Sequence, residues 1–202
     1  MASLSEHYYS NRPAVGHDRN TIEATLRGHR LKFVTDAGVF SKAGVDYGSK
    51  VLIEHMDIKP DANILDVGCG YGPIGLTAAK LAPNGQVTMI DVNERAVRLA
   101  QENAALNGVS NAEALQSDLF AGVAGRRFNT ILTNPPIRAG KETVHRIFTE
   151  SFAHLQDGGS LWVVIQKKQG APSAKAKLES VFGRVEEVGK DKGYRIFKAV
   201  KA

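Results

Sequence analysis

A chain of 202 residues fits one domain of ordinary size, long enough to bury a core without metals or disulfides. Its single cysteine, Cys69, excludes an internal disulfide framework and fits a reducing, cytoplasmic setting; no signal-peptide pattern and no run near the ~18 apolar residues of a membrane span is present. The net charge of +5 is uneven: Lys plus Arg against Asp plus Glu stand at 8 to 7 over residues 1–60, 8 to 10 over 61–166 and 10 to 4 over 167–202, so the last block carries +6, the footprint either of a polyanion partner such as nucleic acid or of a solvated lysine-rich surface.

Residues 1–19 are polar, without a sustained period, and read as a flexible arm whose one cluster is His7-Tyr8-Tyr9. Alternation of Ile22, Ala24 and Leu26, then of Leu31, Phe33 and Thr35, predicts a β-hairpin closed at Gly28. A turn-like segment follows from Asp36, then a helix from about Asp46 to Met56. Beyond Pro60 the rhythm becomes strand, loop, helix. Ile64-Leu65 is a strand, Ile74 to Leu81 a helix with Pro73 in its first turn, Gln86 to Ile90 a strand ending at Asp91, and Asn93 to Asn107 an amphipathic helix closed by Gly108. Strands at Ala112 to Gln116 and Phe128 to Thr133, a helix over Glu142 to Leu155, a strand over Ser160 to Ile165 and a helix over Ala174 to Phe182 come next. Arg184 to Val188 and Tyr194 to Val200 form a closing hairpin through Lys192-Gly193. Alternating strands and helices predict an α/β domain over 20–202, with an amino-terminal hairpin and helix over 20–60 and a core over 61–202. Its sheet is doubly wound and mostly parallel, with one antiparallel strand from the last hairpin.

Two stretches carry chemistry. Gly70-Tyr-Gly-Pro-Ile-Gly75 matches G-x-G-x-x-G, and Asp91 follows at the spacing of a ribose-binding acid, which alone suggests a dinucleotide site. Against that, Asp66 at the preceding strand end repels a pyrophosphate, and Pro73 removes an N–H from the helix start. Asp66, Asp91 and Asp118 on three successive strand ends instead favour a ligand with positive charge, a ribose diol and an amine, as in S-adenosylmethionine. Asp66 then serves the methionine end beside Gly68, Gly70 and Gly72, Asp91 the diol, and Asp118 the adenine amine between Val92 and Leu119. Each Asp taken singly is equally a strand-end cap.

The second stretch, Asn134-Pro135-Pro136-Ile137, ends a buried strand at the carboxyl rim, where ligands of a parallel sheet bind. Proline has no N–H and a fixed φ, so this loop offers acceptors on a stiff backbone, suited to a planar –NH₂; the plain alternative is a strand-ending turn. His145 and His154 have no partner at metal-ligand spacing, so no metal is expected, and Trp162 sits in an apolar strand as core.

These residues resemble the methyltransferase small-domain group of class I S-adenosylmethionine-dependent methyltransferases. Asp66-Val-Gly-Cys-Gly-Tyr-Gly-Pro-Ile-Gly is similar to its cofactor loop, Asn134-Pro-Pro-Ile to its catalytic signature, and Gly38-Val-Phe-Ser with Asp46 and Gly48-Ser49 to its upstream segment. The resemblance implies a seven-stranded Rossmann-like sheet, closure of Phe40 and Ser41 over the cofactor, and methyl transfer to an exocyclic amine of RNA, nearest to guanine N2 of small-subunit ribosomal RNA. Ile137 departs from the family, whose fourth signature position is usually aromatic, and the better-known guanine-N2 enzymes carry an additional amino-terminal domain. Methylation of adenine N6 or a protein glutamine, a silent RNA-binding module of the same fold, and a dehydrogenase remain alternatives. For RNA, Arg138 and Lys141 after the catalytic loop and Lys167 and Lys168 after the next strand are the expected phosphate contacts.

Overall fold

The computed structural model describes residues 13–202, so the His7-Tyr8-Tyr9 cluster lies outside the described residues. The order is β1 (Asn20–Leu26), β2 (His29–Thr35), α1 (Tyr47–His55), β3 (Asn63–Val67), α2 (Pro73–Leu81), β4 (Gln86–Asp91), α3 (Glu94–Leu106), β5 (Ala112–Gln116), β6 (Phe128–Thr133), α4 (Lys141–His154), β7 (Leu155–Gln166), α5 (Ala171–Phe182), β8 (Val185–Asp191) and β9 (Tyr194–Val200). The first two strands pair as an antiparallel hairpin. The other seven form one sheet in the order β5-β4-β3-β6-β7-β9-β8, in which β9 alone runs against its neighbours.

The strand period of two sorts the apolar side chains onto two faces. Along β7, Trp162 and Val164 join the hydrophobic cluster that contains α1, α2, α3 and the hairpin, while Leu161, Val163 and Ile165 join the cluster that contains α4 and α5. Both faces are therefore covered, and the sheet interior reads as nearly continuous apolar sequence. Trp162 is core as expected, its indole N–H donating to Ser160 Oγ at 3.0 Å.

The hairpin is fastened by two asparagines one turn apart, Asn103 on α3 and Asn107 at its carboxyl-terminal cap. Asn103 is fully buried: its Oδ1 accepts from the Val34 amide at 2.7 Å and its Nδ2 donates to the carbonyls of Val34 (3.1 Å) and Tyr71 (2.8 Å). Asn107 treats Lys32 in the same way, at 2.9 and 2.7 Å. Each amide imitates a neighbouring strand, so the open edge of β2 is paired by a helix.

Several boundaries differ from expectation. Strand β7 begins at Leu155 rather than Ser160, because Asp157-Gly158-Gly159 is a bulged part of the strand where the register against β6 shifts. Helix α5 begins at Ala171, with Pro172 in the first turn, where a missing N–H costs no helical bond. The supposed loose arm is tied down from Val15 onward: Arg95 donates to the Val15 carbonyl at 2.9 Å, and buried Asp36 takes the Asp18 amide and His17 Nδ1, each at 2.6 Å. Among the described residues no helix is long and apolar enough to cross a membrane.

Candidate active site

Successive strands deliver their carboxyl ends to one rim, and a cavity of about 720 Å³ opens along it, in the size range of small-molecule sites. Its lining follows the strand order: Asp118 and Leu119 after β5, Asp91 and Val92 at β4, Gly68 and Gly70 after β3, Asn134 to Arg138 after β6, Gln166 at β7 and Tyr194 at β9. Val39, Phe40 and Ser41 come over from the segment after the hairpin, and Phe40 is exposed there.

The loop after β3 needs glycine, since Gly68, Gly70 and Gly72 all have left-handed φ of 74°, 57° and 108°. Its amides are satisfied by the next strand: Gly68 and Cys69 donate to the Ile90 carbonyl at 2.9 and 3.0 Å, and Gly70 to Asp91 Oδ2 at 2.9 Å. Asp91 Oδ1 accepts from the Asn93 amide at 2.9 Å. Burial lifts the Asp91 carboxyl to about 6, against the pull of the Asn93, Gly70 and Val92 amides.

Asp66 is not on the cavity wall, and neither is Gly72, contrary to the roles expected of them. The strand period turns Asp66 toward α2, where it is fully buried and Oδ2 accepts from Gly75 N at 2.9 Å. Helix α2 starts from Gly72, which has no side chain to cap it, so an acid from the neighbouring strand satisfies the N3 amide instead. Asp66 Oδ1 has no partner among the described residues, and burial above all, reinforced by the charge of Asp91 and opposed by the Gly75 amide, lifts this carboxyl to about 7.

Asp118 is exposed at the far end of the cavity, with no partner for its carboxylate among the described residues. Next to it Leu119 has a left-handed φ of 50°, fixed by Ser117, whose hydroxyl donates to the Leu119 carbonyl at 2.6 Å and accepts from Gly122 N at 2.8 Å.

At the centre, Thr133 Oγ1 ties the end of β6 to the Val67 carbonyl at 2.9 Å, and the chain then turns through Pro135 and Pro136. Asn134 Nδ2 donates to Asp46 Oδ2 and to Ser49 Oγ, both at 3.0 Å. A carboxylate can only accept, so the amide orientation follows from its partner: both N–H groups are held on the α1 side and Oδ1 is left as the available acceptor. Asp46 also caps α1 through the Ser49 amide at 3.2 Å. The roles of Asp46 and Ser49 here, and the presence of Tyr71, Gln166 and Tyr194 at the site, go beyond the residues singled out in the sequence. Tyr71 holds the Phe40 segment, its hydroxyl 3.1 Å from the carbonyl oxygens of both Ser41 and Gly44.

Of the expected phosphate contacts, Arg138 lines the cavity, whereas Lys141, at the start of α4, and Lys167 and Lys168, in the 3₁₀ turn after β7, are exposed just beyond it. Among the described residues no three His, Cys, Asp or Glu side chains are grouped as metal ligands.

A family model described as "Methyltransferase small domain" matches residues 30–198. The "Uncharacterized protein YbxB" of Bacillus subtilis is 54% identical over 200 residues, which is 98% of this chain and 100% of that protein. "Ribosomal RNA small subunit methyltransferase C" of Vibrio cholerae is 34% identical over 179 residues, 87% of this chain and 51% of its own length. Among solved structures, the T. Thermophilus 16S rRNA N2 G1207 methyltransferase (RsmC) in complex with AdoMet and Guanosine superposes with a TM-score of 0.82 at 26% identity, over 94% of this chain and 52% of that one. The chain thus spans about half the length of these two ribosomal RNA methyltransferases.

Proposed function

The chain belongs to the methyltransferase small domain family, and on that premise we propose that it transfers a methyl group from S-adenosylmethionine to an exocyclic amine of RNA, guanine N2 of small-subunit ribosomal RNA. The observation that carries the reading is the Asn134 amide, turned by Asp46 and Ser49 so that an oxygen, not an N–H, is left to meet the acceptor. What the two relatives are named for gives the finer assignment of base and RNA.

The residues present fit the cofactor. Asp91 lines the wall as an acceptor for a ribose diol, Asp118 has a free acceptor for an amine, Val92 and Leu119 offer apolar faces, and the Gly68 to Gly70 backbone permits close approach. S-adenosylmethionine, when bound, supplies an electrophilic methyl on a sulfonium. The acceptor is a poor nucleophile, because an exocyclic amine delocalises its lone pair into the ring. Oxygens of Asn134 and Pro135 accepting its two hydrogens hold the nitrogen in line and stabilise the positive charge that develops on it. Pro135 and Pro136 keep that loop stiff and bring no competing amide donors.

The test is Asn134→Ala. Calorimetry is expected to find cofactor affinity within about twofold of wild type, while transfer to RNA falls on the order of 10²–10³-fold, the usual effect of removing one group that stabilises developing charge. Turnover near the wild-type rate rejects the proposal.

A further inference from the structure

Strand order divides the cavity: the residues assigned to the cofactor lie over β5, β4 and β3, and beyond Asn134, just after β6, the lining continues with Gln166 on β7 and Tyr194 on β9. These two are direct partners in the antiparallel register, so their side chains rise from the same face of the sheet. Both are half-buried, and neither the Gln166 amide nor the Tyr194 hydroxyl has a hydrogen-bond partner among the described residues. The Tyr194 ring packs on Tyr47 at 5.8 Å and on the first turn of α1, where Gly48 makes room for it: a Cβ at position 48 would lie 2.7 Å from Tyr194 Cε1. It thereby sits next to the Asp46 carboxylate that orients Asn134, whose charge adds to burial in keeping the phenol protonated.

We infer that Gln166 and Tyr194 form the base-reading subsite of this cavity and that the base they select is guanine. The inference rests on the proposed amine acceptor and extends it to the contacts beyond the reacting nitrogen. Along one edge guanine presents the 2-amino group, then N1–H, then O6. With the amino hydrogens taken by Asn134 and Pro135, the remaining pattern is one donor and one acceptor. A primary amide has the complementary pair, so Gln166 accepts from N1–H and donates to O6. Adenine offers a bare N1 beside its amine and leaves the amide oxygen unmatched. Tyr194 supplies the aromatic face for stacking that Ile137 cannot, and a base extruded from its helix is held in general by these two kinds of contact.

The test compares guanosine with 2-aminopurine riboside, which keeps the 2-amino group but has neither N1–H nor O6, by calorimetry in the presence of S-adenosylhomocysteine. Wild-type protein is expected to bind guanosine roughly tenfold or more tightly over the analogue, the difference that one or two net hydrogen bonds make. Gln166→Ala is expected to bring the two within about twofold of each other, again by loss of those bonds. Tyr194→Ala is expected to weaken both alike by roughly tenfold, and Tyr194→Phe to recover most of that loss, because the ring stacks on either base. Unchanged S-adenosylhomocysteine affinity shows each variant to be folded. Failure of wild type to bind guanosine or to discriminate, or retained discrimination in Gln166→Ala, overturns the inference. Failure of the transfer reading shows differently, as nucleoside discrimination intact in a protein that puts no methyl into RNA.

Discussion

Asn134 gains its direction from residues 85 and 88 positions earlier in the chain. Ser49→Ala removes one of the two acceptors that hold its amide while leaving the Ser49 N–H to the Asp46 cap. The expected result is a fall of roughly tenfold in turnover, the equivalent of about one net hydrogen bond, with cofactor affinity and melting temperature unchanged. Asp91 gives the site a pH dependence. In its proposed role two ribose hydroxyls use both its oxygens as acceptors, so the ionised form is the one expected to bind, and burial has raised the carboxyl to about 6. Cofactor affinity should therefore be level above neutrality and fall as pH drops through about 6, by up to tenfold per pH unit, and Asp91→Asn should weaken binding and flatten the profile. Titration calorimetry between pH 5 and 8, the window of that change, measures both.

Two junctions between elements carry predictions about stability. Where β3 meets α2, Asp66 has a folded pKa of about 7 against an ordinary carboxyl value near 3.8. The folded state therefore holds a proton that the unfolded state releases. The carboxyl costs stability increasingly as pH rises from about 4 to about 7. Asp66→Asn should melt higher than wild type at pH 8 by more than it does at pH 5; an equal difference at both would show that Asp66 ionises as an ordinary carboxyl. Where α3 meets the hairpin, Asn103→Ala strands the part-buried Val34 amide and carbonyl and the buried Tyr71 carbonyl, and should cost on the order of 1–3 kcal/mol in denaturant unfolding.

Elements with a strong period or clear punctuation were legible from sequence: the hairpin at Gly28, the Gly70 loop, α3 from its apolar stripe, and the strand ending at Asn134. Asp157-Gly158-Gly159 reads as a turn, yet it belongs to β7, because Gly159 has no Cβ and so allows the Asn129 carbonyl and the chain at Gln156 to come close. Asp66 announced itself as a strand-end acid but not which face of the strand it would take. Gln166 and Tyr194 come to one cavity only through the order of the strands, which no local pattern encodes, whereas Asp46 and Ser49, legible in the sequence as part of the upstream segment, reach it through the start of α1.

Across the whole molecule, the carboxyl-terminal block with its +6 charge starts at the same rim as Asn134, since Lys167 and Lys168 follow β7 directly. If RNA phosphates dock there, Lys167→Ala with Lys168→Ala should weaken RNA binding and lower the salt dependence, by about 0.7–0.9 in the log–log slope for each phosphate contact removed, and leave cofactor affinity as it was. An unchanged slope moves the docking face to another side of the protein.

Methyl transfer to an RNA amine is measured most directly by giving the wild-type protein radiolabelled S-adenosylmethionine and an extract from cells lacking the protein, then digesting the labelled RNA to nucleosides. Label is expected in small-subunit ribosomal RNA, recovered as N2-methylguanosine and lost with Asn134→Ala. Label appearing in protein, or no label from a protein that binds the cofactor, would contradict it.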